Sequence, residues 1–110
     1  MHWIPLTTEE QLEDIIYLSH QTPQVIFKHS TRCSISLMVK SRLDRVEVPE
    51  NITCYYLDLL QYRAVSNAIA TRFSVEHQSP QVLLIRQGIC TYHESQQAIY
   101  FEDILENIKG

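Results

Sequence analysis

Glycine is almost absent from this chain. The 110 residues include only Gly88 and Gly110, whereas average usage of ~7% would give about eight. The dinucleotide-binding fingerprint and the phosphate-binding P-loop each require at least two closely spaced glycines. The sequence therefore excludes nucleotide sites of these two kinds.

Cysteine is also scarce. Cys33, Cys54 and Cys90 are the only three, and they lie too far apart to form a C-x-x-C pair or a zinc-ribbon pattern. An odd number cannot complete a disulfide framework, so we expect a reducing compartment. Four histidines stand singly and resemble no metal site, so we expect no bound metal: His2, His20, His77 and His93.

Long apolar runs are missing as well. No stretch approaches the ~18 apolar residues that a membrane-spanning helix needs, and the first residues lack the basic run and apolar core of a secretion signal. We therefore predict a cytoplasmic protein without membrane association.

Positive charge is in deficit overall but concentrated locally. The net charge of −4 argues against nucleic acid as a partner. Residues 28–45 nevertheless contain five of the nine basic residues and one carboxylate, Asp44. The five are Lys28, Arg32, Lys40, Arg42 and Arg45. This pattern predicts a positive region near Cys33.

What is present is a regular alternation of helical and strand patterns over one domain, residues 1–110, of which 45% is apolar. Thr7 and Glu10 form a possible capping box for a first helix that ends near 20–23. Further helices are predicted at 33–46, 62–73 and 99–109. Strands are predicted at 24–29, 52–58, 81–86 and 89–93, and residues 2–4 could add a short edge strand.

The predicted order is β-α-β-α-β-α-β-β-α. The connection Gln87-Gly88 is too short for anything but an antiparallel hairpin, and the two central crossovers are long enough for right-handed βαβ units. This order is the arrangement of the thioredoxin fold, an α/β fold with a central mixed sheet of four to five strands flanked by helices.

Cys33 stands where the strand 24–29 gives way to a helix. Unpaired N–H groups and the positive end of the helix dipole converge there, which favours the thiolate over the thiol. Because polar residues flank Cys33, we interpret it as a catalytic nucleophile rather than a buried apolar residue. Cys54 and Cys90 lie inside predicted strands, and we interpret them as structural.

Cys33-Ser34-Ile35-Ser36 is a C-x-x-S segment, with one thiol where dithiol oxidoreductases have two. Such a site turns over through a mixed disulfide with another molecule. Ser36 could donate a hydrogen bond to the thiolate, or it could be an ordinary exposed helix serine.

Ser79-Pro80 precedes the strand 81–86. A trans bond is the default for such a pair. In the thioredoxin fold, however, this junction holds a cis-proline beside the active cysteine, where the preceding backbone pairs with substrate. Conditional on that fold, we expect a cis bond.

The sequence resembles the bacilliredoxins of YtxJ type, small thioredoxin-like proteins of the bacillithiol system. The resemblance covers nearly the whole chain and depends on four segments: Phe27-Lys28-His29-Ser30-Thr31, Cys33 with Ile35-Ser36, Tyr55-Tyr56-Leu57, and His77-Gln78-Ser79-Pro80-Gln81. The family's usual T-C-P-I-S segment differs here, because Arg32 precedes the cysteine and Ser34 replaces proline.

The resemblance implies that Cys33 attacks mixed disulfides between bacillithiol and protein cysteines, with bacillithiol as co-substrate and no tightly bound cofactor. Bacillithiol carries carboxylates, which suit a basic neighbourhood. The candidate contacts to such an anionic thiol are Lys28, His29, Arg32 and Gln81. Residues expected to support the site are Thr31, Arg32, Ser36, Ser79 and Pro80.

Two other functions remain open at this stage. One is an iron–sulfur scaffold of the monothiol-glutaredoxin kind, although Ser34-Ile35 stands where those proteins have Gly-Phe. The other is a non-catalytic thioredoxin-like binding domain. The oligomeric state, the protein clients and the reductant are not determined by the sequence.

Overall fold

The computed structural model describes residues 1–109, which form five strands and four α-helices in the predicted order. The elements are β1 (Trp3–Pro5), α1 (Glu10–Leu18), β2 (Gln24–His29), α2 (Ser34–Asp44), β3 (Thr53–Asp58), α3 (Arg63–Phe73), β4 (Gln81–Arg86), β5 (Ile89–Ser95) and α4 (Phe101–Lys109). A short 3₁₀ helix, Gln96–Ala98, which the sequence did not predict, lies between β5 and α4.

The strands form one mixed sheet in the order β1-β3-β2-β4-β5. β3 runs parallel to β1 and to β2, whereas β4 runs antiparallel to β2 and to β5. The connections through α1 and α2 therefore join parallel strands. The connection through α3 leads into an antiparallel strand, so the prediction that both central crossovers are βαβ units is wrong for α3.

Helices cover both faces of the sheet. On one face α1 and α3 pack on side chains such as Ile26, Leu57 and Leu83. On the other, α2 and α4 pack on side chains such as Phe27, Val82 and Leu84. All six residues of β2 are buried, as expected for a central strand covered on both sides. Within residues 1–109 we find no helix with the length and apolar character needed to span a membrane.

One local prediction is wrong. The capping box before α1 uses Thr8 and Gln11 rather than Thr7 and Glu10. The Thr8 hydroxyl accepts the Gln11 N–H, and Gln11 Oε1 accepts the N–H groups of Thr7 and Thr8. In α2, Val39 and Leu43 are buried, whereas Met38 is 44% exposed.

The predicted hairpin between β4 and β5 is confirmed. Gln87 and Gly88 both have positive φ angles, 55° and 78°, which is the backbone that a tight two-residue turn requires. The turn contacts the end of α1, where Ser19 accepts the N–H groups of Gln87 and Gly88 through its carbonyl and hydroxyl oxygens.

The sheet register determines which chain segments meet at one end of the molecule. His29, the last residue of β2, pairs with Asp58, the last residue of β3. Lys28 pairs with Gln81, the first residue of β4. The segment after β2, which carries Cys33, and the Ser79-Pro80 segment before β4 therefore lie at the same end of the sheet.

Candidate functional site

Cys33 is the N-cap residue of α2, as the sequence predicts. Its backbone is extended, with φ −105° and ψ 121°, while its carbonyl already accepts the Leu37 N–H at 2.9 Å. The Cys33 N–H is donated to the Ser30 carbonyl at 3.3 Å. The residue is partly exposed. The local fold thus presents one thiol at the positive end of a helix.

The two residues before Cys33 are exposed. The Arg32 N–H is donated to the Ser30 hydroxyl at 3.4 Å, and among residues 1–109 no ion pair involves the Arg32 guanidinium. Thr31 lies beside it at the surface. Both predicted supporting residues are thus free to meet a molecule that approaches Cys33.

Ser36 is neither exposed nor hydrogen-bonded to the cysteine sulfur. It is 0% exposed, and its Oγ atom lies 2.7 Å from His29 Nδ1 and accepts the Ser30 N–H at 3.0 Å. The alternative of an exposed helix serine is therefore wrong, whereas the hydrogen bond to a Cys33 thiolate stays a prediction. The hydroxyl joins the end of β2 to the first turn of α2.

His29 is also buried, at 1% exposure, so the structure does not place it at the surface as a contact for an anionic thiol. Its ring stacks on Phe27 and lies 5.5 Å from the Tyr56 ring. Burial lowers the pKa of the His29 imidazole below its usual value, and the Lys40 ammonium lowers this pKa further, whereas Asp58 and Asp44 act in the opposite direction.

Lys28 and Gln81 correct another expectation, because both are buried on the α1 and α3 face, away from α2. Lys28 is 0% exposed, and its ammonium group donates a hydrogen bond to the Ser66 carbonyl at 3.1 Å. Burial lowers its pKa to about 8. Gln81 is 1% exposed and donates to the Glu76 carbonyl at 3.0 Å. Neither side chain reaches the surface where a thiol would bind.

The positive region predicted around Cys33 is dispersed in three dimensions. Lys40 pairs with Asp44 at 2.9 Å. The Arg42 guanidinium donates to the carbonyls of Gln97 and Ile99 and lies 4.1 Å from the Tyr100 ring centroid. Lys40 is thus paired within α2, and Arg42 joins α2 to residues 97–100. Arg32 is the exposed cation adjacent to Cys33 in the chain.

The Ser79–Pro80 peptide bond is cis, as expected from the fold. Gln96 contacts both Ser79 and Pro80. Its side-chain amide donates a hydrogen bond to the Ser79 carbonyl at 2.8 Å, and its backbone N–H donates to the Pro80 carbonyl at 3.0 Å. The Ser79 hydroxyl oxygen is buried and has no hydrogen-bond partner among residues 1–109. Gln96 was not predicted from the sequence, and its φ of 60° is unusual for a residue with a side chain.

The other two thiols differ from Cys33. Cys54 is 3% exposed, and burial raises its pKa to about 12. Burial also raises the pKa of Cys90, whose Sγ atom lies 3.3 Å from the Tyr92 carbonyl. Among residues 1–109 no group of three or more His, Cys, Asp or Glu side chains could hold a metal ion.

Solved structures share this fold. A protein described as a candidate oxidoreductase with a thioredoxin fold is 25% identical, with a TM-score of 0.82 over 96% of this chain and 92% of that chain. Thioredoxins from Trypanosoma brucei brucei and Malassezia sympodialis are 14% and 11% identical, each with a TM-score of 0.74. They cover 98% and 99% of this chain, and 88% and 96% of their own chains. These two likenesses show the fold alone.

The sequence also matches a family model. The model, described as monothiol bacilliredoxin BrxC, matches residues 4–104. This match spans β2 to β5 completely, two of the three residues of β1, the Cys33 segment and the Ser79-Pro80 segment. The chain therefore belongs to the monothiol bacilliredoxin family and is a redox thiol protein with a thioredoxin fold.

Proposed function

We propose that Cys33 is the nucleophile of a monothiol thiol–disulfide exchange that removes a low-molecular-weight thiol, such as bacillithiol, from protein cysteines in the cytoplasm. The observation that carries this proposal is the position of Cys33, a partly exposed thiol at the N-cap of α2. Family membership supports the same chemistry. Cys54 and Cys90 are poorer nucleophiles, because burial raises the pKa of each.

In the proposed first step, the Cys33 thiolate attacks the small-thiol sulfur of a mixed disulfide. A Cys33–small-thiol disulfide forms, the original disulfide breaks, and the protein cysteine leaves as a thiolate. In the second step, a thiolate of another bacillithiol attacks the sulfur of the small thiol. The oxidised dimer of the small thiol is released and the Cys33 thiolate is regenerated. Bacillithiol is thus a co-substrate, and neither step uses a tightly bound cofactor.

The surroundings of Cys33 support a one-thiol route. The position three residues along, where a dithiol protein has its second cysteine, is held by Ser36, whose hydroxyl contacts His29 and Ser30. Arg32 supplies an exposed positive charge for a carboxylate of the small thiol. Thr31 and the Ser79 backbone are the other groups that we assign to substrate contact.

The test is the release of bacillithiol from an S-bacillithiolated client protein, followed by mass spectrometry of both proteins. We expect wild-type protein to take up one bacillithiol on Cys33 and to restore the client thiol. Cys33→Ser should abolish transfer, whereas the matched control Cys90→Ser should keep it. Transfer by Cys33→Ser at the wild-type rate would contradict the proposal.

A further inference from the structure

The Ser36 hydroxyl group links the end of β2 to the first turn of α2. Ser36 Oγ lies 2.7 Å from His29 Nδ1 and accepts the Ser30 N–H at 3.0 Å. Both Ser36 and His29 are buried, at 0% and 1% exposure. Water therefore has little access to these groups, and the hydroxyl hydrogen must be used within the protein.

A serine hydroxyl has one hydrogen and two lone pairs. The Ser30 N–H occupies one lone pair of Ser36 Oγ, so two arrangements satisfy the short contact with His29. In one, the Ser36 O–H is donated to an unprotonated Nδ1 atom. In the other, Nδ1 carries a hydrogen and donates it to the second lone pair, which releases the Ser36 hydrogen for a third partner.

Cys33 is placed to be that third partner. It is the N-cap of α2, and Ser36 is the third residue of the helix. A side chain at this third position points back toward the N-cap residue, as it does in a capping box. Among residues 1–109 no hydrogen bond reaches the Cys33 sulfur, whereas a thiolate there would be a strong acceptor for the freed O–H.

His29 decides between the two arrangements. Burial and the Lys40 ammonium, from α2, keep the pKa of His29 below its usual value. Asp58 of β3 and Asp44 of α2 oppose this effect, and Phe27 and Tyr56 pack on the ring. The imidazole is thus neutral near pH 7 and can hold its single hydrogen on either nitrogen.

We propose that His29 is a positioning residue for Cys33 that acts through Ser36. When Cys33 is a thiolate, His29 holds a hydrogen on Nδ1, and the Ser36 hydroxyl is donated to the sulfur. When Cys33 is a thiol, the Ser36 hydroxyl is donated to Nδ1. This role depends on the proposed function only in that Cys33 is the reactive thiol.

The test measures the rate at which iodoacetamide alkylates Cys33 between pH 4.5 and 9, in a Cys54→Ala/Cys90→Ala background. This reaction needs no bacillithiol and no client, so it can fail independently of the exchange assay. We expect Ser36→Ala to slow alkylation about tenfold at pH 7, the size of one lost hydrogen bond to a charged group. Ser41→Ala, an exposed serine of the same helix, should leave the rate unchanged.

His29→Asn keeps a donor and an acceptor near the position of Nδ1 but does not titrate. We expect wild-type protein to show an extra inflection below pH 6.5, where His29 becomes protonated, and His29→Asn to lack it while alkylation near pH 7 persists. Superimposable pH profiles for wild type and His29→Asn, or an unchanged rate for Ser36→Ala, would overturn the proposal.

A second measurement does not depend on a His29 variant that folds. Imidazole nitrogen shifts from NMR report the tautomer and the protonation of His29. At alkaline pH, where cysteine thiols ionise, we expect Cys33→Ala to favour hydrogen on Nε2 of His29, because no thiolate remains to accept the Ser36 hydroxyl. The same His29 tautomer in wild type and Cys33→Ala at alkaline pH would also overturn the proposal.

Discussion

The Lys28 ammonium nitrogen, buried beneath α3, lies 3.3 Å from Nδ1 of the exposed His77. Lys28 has no exposed surface, and no ion pair among residues 1–109 includes it. The contact holds the segment before Ser79-Pro80 against the end of β2. Burial, Lys28 and Arg63 all lower the pKa of His77, which suits an unprotonated ring that accepts from the lysine.

Lys28 gives the free energy of unfolding a specific pH dependence. Its pKa is about 8 in the folded chain against 10.5 for an ordinary lysine. Between these values the unfolded chain binds more protons, so stability contributed through Lys28 rises with pH. We expect the stability of wild type relative to Lys28→Met to rise by up to about 1.4 kcal/mol per pH unit in this window.

Denaturant unfolding of both proteins at several pH values measures this difference. Effects of the tyrosines and cysteines occur in both proteins and cancel in the comparison. A constant difference from pH 7.5 to 10 would show that burial does not lower the pKa of Lys28.

The three thiols should react in a fixed order. At pH 7.5 we expect iodoacetamide to modify Cys33 in the folded protein and to leave Cys54 intact, because burial raises the pKa of Cys54 to about 12. Cys90 should react more slowly than Cys33. Peptide mapping by mass spectrometry after timed quenching gives the order, and modification in denaturant, where all three should react, is the control. Modification of Cys54 before Cys33 would contradict the structure.

Ser36→Cys should create a dithiol site. The N-cap residue and the third helical residue of α2 face each other across one turn, within the range that a disulfide spans. We expect mild oxidation to join Cys33 and the new thiol, while the loss of the Ser36 hydrogen bonds lowers stability by about 1 to 2 kcal/mol.

Thiol counting and mass spectrometry detect this disulfide. Ser34→Cys is the matched control, because neighbouring helix residues point in different directions and should not pair with Cys33. Equal disulfide yields in both variants would count against the N-cap geometry.

Gln96 should stabilise the segment that carries Ser79 and Pro80. Gln96→Ala removes the 2.8 Å hydrogen bond to the Ser79 carbonyl and keeps a side chain at φ 60°. Its expected cost is about 1 kcal/mol. Gln96→Gly removes the same bond but tolerates positive φ, so it should be more stable than Gln96→Ala by about 1 kcal/mol. Thermal unfolding ranks the three proteins, and a glycine variant less stable than the alanine variant would refute this account.

Local signals made much of the fold predictable. The β-branched run of β2, the turn pair Gln87-Gly88 and the helical spacing of α3 gave their elements within about one residue. The position of Cys33 at a helix start followed from the same signals. The ends of β5 and α4 were less well predicted, because the 3₁₀ helix at 96–98 depends on contacts with residues of the Ser79-Pro80 segment that are distant in sequence.

The sequence by itself determined the order of elements and the presence of a single cysteine at a strand-to-helix junction. Only the tertiary structure decided which charged and polar residues lie beside that cysteine. In β2 every residue is buried, so hydrophobic alternation cannot show which face of the sheet Lys28 takes and which face His29 takes. The Lys28 ammonium group contacts the Ser66 carbonyl and His77 Nδ1. Residues 66 and 77 approach β2 only when α3 packs on the sheet.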